Sequence, residues 1–306
     1  MTIELKQFRQ SLTYTATAPL PVIAASLHEI QELFQIIEVK QKEYHQKAPY
    51  YFLGAMGLFV LIFVLIIIAS SLNIAPSLVG FVGILLFLGM IGLIIASIYA
   101  SVMWFKFIKL NLAIYRYEVT NKVLQTLSRD VDKVAEADLY LSFQPIDKTE
   151  HTINTIPHPQ KAGWKISNHE HQWLKIQGRF LDKTRFQLTA NELAKRQHGW
   201  KKSSSGNSKK YKSKTKSKGL DISLSLNYPQ RRYGEIKNLE NTLFEAIKLP
   251  STASVRNVKI TDKAIHLLVR INPETVDNSE QIHQTITMML LSLYQVLNFA
   301  KKLAKN

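Results

Sequence analysis

From Ala48 to Phe105 the chain stops mixing apolar and charged positions: 58 residues pass without an Asp, Glu, Lys, Arg or His. Two apolar runs fill this stretch, Tyr50–Leu72 and Leu78–Met103. Each is long enough to cross a hydrocarbon core of about 30 Å as a helix. The five residues between them, Asn73 to Ser77, include Pro76, which ends one helix before the next begins. Two such runs back to back with no polar face differ from the pattern of a soluble core helix. The pattern predicts a membrane-embedded hairpin of two transmembrane helices.

Helical periodicity extends beyond both ends of the hairpin. Leu27, Ile30, Phe34 and Ile37 recur at spacings of three and four, which predicts an amphipathic helix from Ala25 to Lys47, kinked near Pro49. After the second run, residues 105–137 lack both Gly and Pro. Leu110, Tyr117, Leu124 and Val131 repeat every seven residues, and Ala113, Thr120, Leu127 and Val134 fill the second seam position of a four-heptad coiled-coil stripe. One continuous helix from about residue 78 to 136 is therefore expected, its distal part forming a stalk.

Near residue 137 the period changes from helical to alternating. Leu139, Leu141 and Phe143 alternate with polar residues, predicting a strand. Trp173–Phe180 and Arg185–Ala190 read as a hairpin turning at Asp182-Lys183-Thr184. Leu220, Ile222, Leu224 and Leu226 mark a half-buried strand. A helix over Glu235–Leu249, a strand pair Val255–Thr261 and Ala264–Ile271, and a closing helix over Asp277–Lys302 complete the pattern. Gln281, Gln284, Thr285, Ser292 and Gln295 make that last helix too polar for a third span. The fold class is thus a transmembrane hairpin and helical stalk joined to a soluble α+β domain with a mainly antiparallel sheet. Its segments are 1–49, 50–104, 105–136 and 137–306.

Charge sets the orientation. Lys40, Lys42 and Lys47 precede the first span and Lys106, Lys109 and Arg116 follow the second, while the connecting turn has no basic residue. The positive-inside rule then puts both termini in the cytoplasm, most simply at a cell (inner) membrane. Tyr50, Tyr51, Phe52, Trp104, Phe105 and Phe107 form aromatic belts at that face. Gly92, Ala96 and Ala100 give the second span a small-residue stripe, suited to packing within the hairpin or to a homo-oligomer seam. With no ionisable residue in either span, transport of ions or charged substrates by this chain alone is disfavoured. The 306 residues carry a net charge of +16 and no cysteine, so there is neither a disulfide framework nor thiolate chemistry.

Much of that charge lies in one place. Ten of the 24 residues from Lys195 to Lys218 are Lys or Arg and none is acidic. They include Lys201, Lys202, Lys209, Lys210, Lys212, Lys214, Lys216 and Lys218, arranged around the Ser/Gly/Asn tract 203–208, and the stretch reads as a polybasic loop. From Lys210 to Lys218 every second residue is a lysine, and an extended chain places alternate residues on one face. The same parity runs on into Leu220 and Leu226, so one strand is expected to lead from a basic end into the core. Anionic lipid headgroups, an acidic protein partner and nucleic acid all suit such charge. Nucleic acid is the least favoured, since only Trp200 and Tyr211 offer stacking surfaces and no nucleic-acid-binding module is recognisable. Lysines that merely block edge-to-edge sheet association are the bland alternative.

Other chemistry is sparse. His169-Glu170-His171, with His151 or His158, has too loose a spacing to predict a metal site, and reads as loop histidines. His266 reads as a core residue. No Gly-x-Ser-x-Gly, phosphate-cradling glycine loop or His-Glu-x-x-His motif occurs. Neither catalytic residues nor a cofactor are expected. The sequence points to a double-pass membrane protein whose basic domain binds anionic headgroups or an acidic partner, with a subunit of a transport or channel assembly as the alternative.

Overall fold

The computed structural model describes residues 11–71, 76–109, 113–132, 134–202, 209–234, 236–239 and 245–303. The chain divides into two compact units, one of Met1–Glu29 with Leu112–Asn306 and one of Ile30–Asn111.

The smaller unit holds two long helices. α1 spans Leu20–Ser71, its first turns belonging to the larger unit, and α2 spans Pro76–Lys109. α1 passes through Pro49 without interruption. Pro76 opens α2, a position where its missing N–H costs nothing. The turn at 73–75 lies outside the described residues. Both helices are long and apolar enough to cross a membrane, and their most apolar windows are only 6% and 0% buried. The core helix of a soluble protein would bury such a surface. The Ser97 hydroxyl donates to the Ala48 carbonyl at 3.1 Å, and a Cβ on Gly54 would lie 3.2 Å from the Leu93 side chain.

The larger unit is built on an antiparallel sheet of eight strands among the described residues. They are β1 (Thr13–Pro19), β2 (Glu136–Ser142), β3 (Thr152–Pro157), β4 (Trp164–Arg179), β5 (Arg185–Lys202), β6 (Lys209–Asn227), β7 (Ala253–Ile260) and β8 (Ala264–Ile271). The order is β1-β2-β4-β5-β6-β8-β7, with β3 beside the first half of β4. Opposed residues share a face, so the register defines the core side directly. Leu139 faces Ile176, Ile176 faces Leu188, Leu188 faces Leu224, and Leu224 faces Leu267. All five side chains are buried. The other face is polar, with Arg270 bound to Asp221 through two 2.6 Å hydrogen bonds. One wet and one dry face is the usual condition of an antiparallel sheet.

Besides the first turns of α1, which bury Leu20, Ile23 and Leu27, two further helices contribute to the core of this unit. α3 (Ile114–Leu127) buries Val119, Val123 and Leu127, and α4 (Ser279–Leu303) buries Ile286, Met289, Leu293 and Val296. They contact each other, and Thr126 Oγ1 meets His283 Nε2 at 3.0 Å. α4 is amphipathic and buries one face within this unit, as its polar positions imply.

Four expectations change. The helix expected from 78 to 136 is interrupted: α2 ends at Lys109 and Ala113 has non-helical backbone (φ −67°, ψ 82°). Most of the supposed coiled-coil stripe is core, since Tyr117, Thr120, Leu124, Leu127 and Val131 are buried in the larger unit, where α4 supplies an apolar partner; Val134 is exposed, and Leu110 lies outside the described residues. The N-terminal segment is not merely a run-in helix, because β1 pairs along its whole length with β2. The helix expected over 235–249 is represented by a 3₁₀ turn at Ile236–Leu239 and helical residues 245–246, with 240–244 outside the described residues.

Candidate functional site

The stretch expected to be a polybasic loop is an ordered β-arm. β5 and β6 pair from Arg185↔Asn227 out to Lys202↔Lys209 with one shift of register, and residues 203–208 between them lie outside the described set. The absence of proline from residues 185–202 and 209–227 leaves the backbone N–H groups free to pair along both strands. The outer part of β6, residues 209–218, is exposed throughout.

A bulge divides the arm from the core. Leu193 opposes Gly219 and Ala194 opposes Ser217, so Lys218 has no opposite number. Gly219 takes φ +109°, and a Cβ there would lie 2.4 Å from the Ile271 carbonyl oxygen, so glycine is required. A one-residue bulge exchanges the faces beyond it. This corrects the expectation that Lys210 to Lys216 share parity with Leu220 and Leu226. Those lysines project from the polar face, opposite the side that holds the core leucines.

The register then sorts the basic residues. Lys210 lies opposite Lys201, Lys212 opposite Gly199, Lys214 opposite Gln197 and Lys216 opposite Lys195, all on one face. Lys202 and Lys209 oppose each other on the other face, beside Trp200 and Tyr211, whose rings meet edge-on at 5.5 Å. Lys218, at the bulge, donates to Asn168 Oδ1 at 3.2 Å. Six of the ten basic residues thus share one surface, with the β6 lysines about 7 Å apart along the strand.

Beside this column the same face becomes apolar. Trp164 on β4 lies opposite Gly199, and a Cβ on that glycine would sit 2.6 Å from the indole, so the ring rests on glycine backbone. Lys161 Nζ is 4.9 Å from the ring centroid. In the next row Ile156 of β3 opposes Ile166 of β4, which opposes Gln197. Ile166 is buried, whereas Ile156 is 48% exposed. Neither Trp164 nor Gly199 stands out from sequence alone; the lone glycine in a strand pattern is the one available signal.

The base of the arm contains a buried polar cluster that sequence reasoning missed. Arg116 of α3 forms a 2.5 Å ion pair with Glu192 of β5 and donates to the carbonyls of Ser142 and Gln144 at 3.0 and 2.9 Å. Its guanidinium also lies 5.7 Å from the Trp173 ring centroid. His171 Nε2 meets Ser142 Oγ at 3.0 Å, and the His151 ring stacks on His171 at 4.0 Å. Burial, and after it the neighbouring Arg116 charge, pushes the His171 imidazole down to about 3. Burial likewise lowers His151 and His169. His169 and His171 are therefore buried strand residues, not loop histidines, because a bulge at Trp173 turns them to the core side. Among the described residues no group of three or more His, Asp or Glu is arranged to hold a metal. His266, expected in the core, is exposed on the polar face.

No family model, curated protein or solved structure matches this chain. What it can do therefore rests on its own geometry. A recess of about 410 Å³ in the larger unit is lined by Leu181, Leu290, Leu291 and Tyr294, with Asp130 and Asp182 among its polar groups. Tyr233 donates to Asp182, whose other oxygen accepts the Thr184 N–H at 2.8 Å, so the recess spends much of its polarity internally. Burial, followed by that hydrogen bond, raises Tyr233 to about 12. Of the small-residue stripe on α2, Ala100 is buried and Ala96 half-buried, while Gly92 is exposed with nothing within 4 Å of where a Cβ would lie.

Proposed function

We propose that the chain is a double-pass membrane protein whose β-arm binds anionic lipid headgroups at the cytoplasmic leaflet. α1 and α2 supply the transmembrane hairpin, and the basic residues flanking the apolar runs hold both termini on the cytoplasmic side. The sheet unit acts as a non-enzymatic binding module. The single observation that carries the reading is the collection of Lys195, Lys201, Lys210, Lys212, Lys214 and Lys216 on one face of an ordered arm. Each basic residue near an anionic leaflet contributes about 1 kcal/mol, so a face of six binds firmly at moderate salt. Tethering strengthens the case, because a domain anchored in a bilayer meets its leaflet at high effective concentration.

The reading is tested with the full chain in lipid nanodiscs, by amine labelling of individual lysines read by mass spectrometry. Lys210, Lys212, Lys214 and Lys216 are expected to react several-fold more slowly in discs with anionic lipid than in zwitterionic discs. High salt should abolish the difference, since exposed charges are screened within about 3 Å at 1 M. Lys263, exposed far from the arm in sequence, serves as the control. Equal labelling of the arm in both lipids rejects the headgroup role.

A further inference from the structure

The lysine face is half of a two-part surface. Across it, perpendicular to the strands, the residues pass from cationic to apolar: Lys212, Gly199, Trp164 in one row, and Lys214, Gln197, Ile166, Ile156 in the next. Four of the lysines occupy β6 at one margin, Lys195 and Lys201 lie on β5 beside them, and Ile156 and Trp164 occupy β3 and β4 at the other. Ile156 leaves 48% of its surface open, although Ile166 beside it is buried. This is the same division that an interfacial amphipathic helix makes around its axis, laid out flat on a sheet. Tryptophan is enriched where headgroups meet acyl chains, and lysine can keep its ammonium among headgroups while its stem covers apolar surface.

We infer that this face seats in the surface of an anionic bilayer, with Ile156 and Trp164 entering the headgroup–acyl boundary beside the lysine column. The inference rests on the headgroup reading above and adds the residues that fix how the arm sits. A nucleic acid would use the same charges, but it fits the apolar half less well. The indole already rests on the Gly199 backbone and has Lys161 Nζ 4.9 Å from its centroid, which leaves little ring for a base to stack on. An aliphatic Ile156 gives a base neither hydrogen bond nor stacking, whereas a lipid boundary accepts it.

The natural chain has no cysteine, so a single introduced thiol reports from one place. Full-length Ile156→Cys, Lys214→Cys and Thr215→Cys proteins are spin-labelled and reconstituted into vesicles of zwitterionic lipid with or without 30% anionic lipid. Collision with oxygen is compared with collision with an aqueous nickel chelate. The Ile156→Cys label is expected to gain several-fold in its oxygen-to-nickel ratio when anionic lipid is present. Thr215 lies on the opposite face of the arm, and its label is expected to stay aqueous in both lipids. Changing Lys201, Lys210, Lys212 and Lys216 to Gln should return the Ile156→Cys label to its zwitterionic value. Asn154→Cys, exposed on the same face, serves as a second reporter should the first variant fold poorly.

If the Lys214→Cys label is immobilised by anionic lipid while the Ile156→Cys and Asn154→Cys labels stay aqueous, the seated face is wrong and headgroup binding stands. If no label responds to anionic lipid, both ideas fall. If single-stranded RNA at equal phosphate immobilises the labels more strongly than anionic vesicles do, the lipid assignment is overturned in favour of nucleic acid.

Discussion

Arg116 is the residue on which the base of the arm closes. Its guanidinium is almost fully enclosed and its partner Glu192 nearly so, with side-chain exposures of 4% and 13%. Removing one member of such a pair leaves a buried charge without its partner, which typically costs 3–5 kcal/mol. Glu192→Ala is therefore expected to lower stability by about that much in chemical denaturation. The double change with Arg116→Met should recover most of the loss, because the stranded charge goes too. His171 makes a second prediction at this scale. Its folded pKa lies near 3, below the ordinary value of 6.5. As pH falls from about 6.5 towards 3 the unfolded chain takes up a proton that the folded one refuses, so stability is lost on acidification. His151 and His169 shift in the same direction and add to the loss. His171→Gln, which still offers Ser142 a hydrogen-bond partner, should flatten that slope. Denaturation midpoints between pH 7 and pH 4 would show it; an unchanged slope would mean that His171 is not one of the groups responsible.

At the scale of elements, β4 and β6 change face at bulges where the arm leaves the core, and glycine holds one of them. Gly219→Ala would force a residue with a Cβ into φ +109° and against a backbone oxygen 2.4 Å away. A cost of at least about 2 kcal/mol is expected, from the strain of that conformation and the clash together. Deleting Lys218 is the sharper test. It leaves three steps from Lys216 to Leu220, matching the three from Lys195 to Glu192, so the ladder is expected to run on without the bulge and the lysine column to keep its face. Hydrogen exchange should then show protection retained in residues 195–202 and 209–216, and lost protection there would mean that the bulge itself holds the arm. Here too the limits of the sequence are physical. Alternation and turn signals located β7, β8 and the inner halves of β4, β5 and β6, but not the outer halves of β4 and β5, and the outer half of β6 lay in the stretch read as a polybasic loop. Those halves carry His, Asn, Lys and Gln in place of a regular apolar file, because their buried positions close on the polar cluster around Arg116 and not on the leucine core. Period was carried straight through Gly219, although an isolated glycine in a strand pattern marks the place where period fails. The stripe on α3 was legible as a buried seam, but periodicity states that a face is covered and not by what. β1 escaped notice because its partner strand lies more than a hundred residues away.

At the scale of the molecule, an apolar block that no core covers is joined to a unit with a complete core. The windows of α1 and α2 that are 6% and 0% buried present more exposed hydrocarbon than a soluble monomer carries. The full-length protein is therefore expected to stay with the membrane pellet through alkaline carbonate washing and to leave it only with detergent. Release by carbonate alone would remove the double-pass reading. This part of the molecule was the most legible of all, since length and absence of charge suffice to define it. The lysine-bearing surface was legible in composition but not in arrangement: its members were evident, while its flatness, its neighbours Trp164 and Ile156, and its separation from Lys202 and Lys209 depend on cross-strand register.

The same three strands, β4, β5 and β6, run through both the core and the arm. No flexible joint separates them, and the two bulges bend the strands without cutting the ladder. The projection therefore behaves as a fixed elbow. A load applied among its outer lysines passes along covalent chain to the strands bearing Leu188 and Leu224, so whatever pulls on one end works directly against the packing at the other.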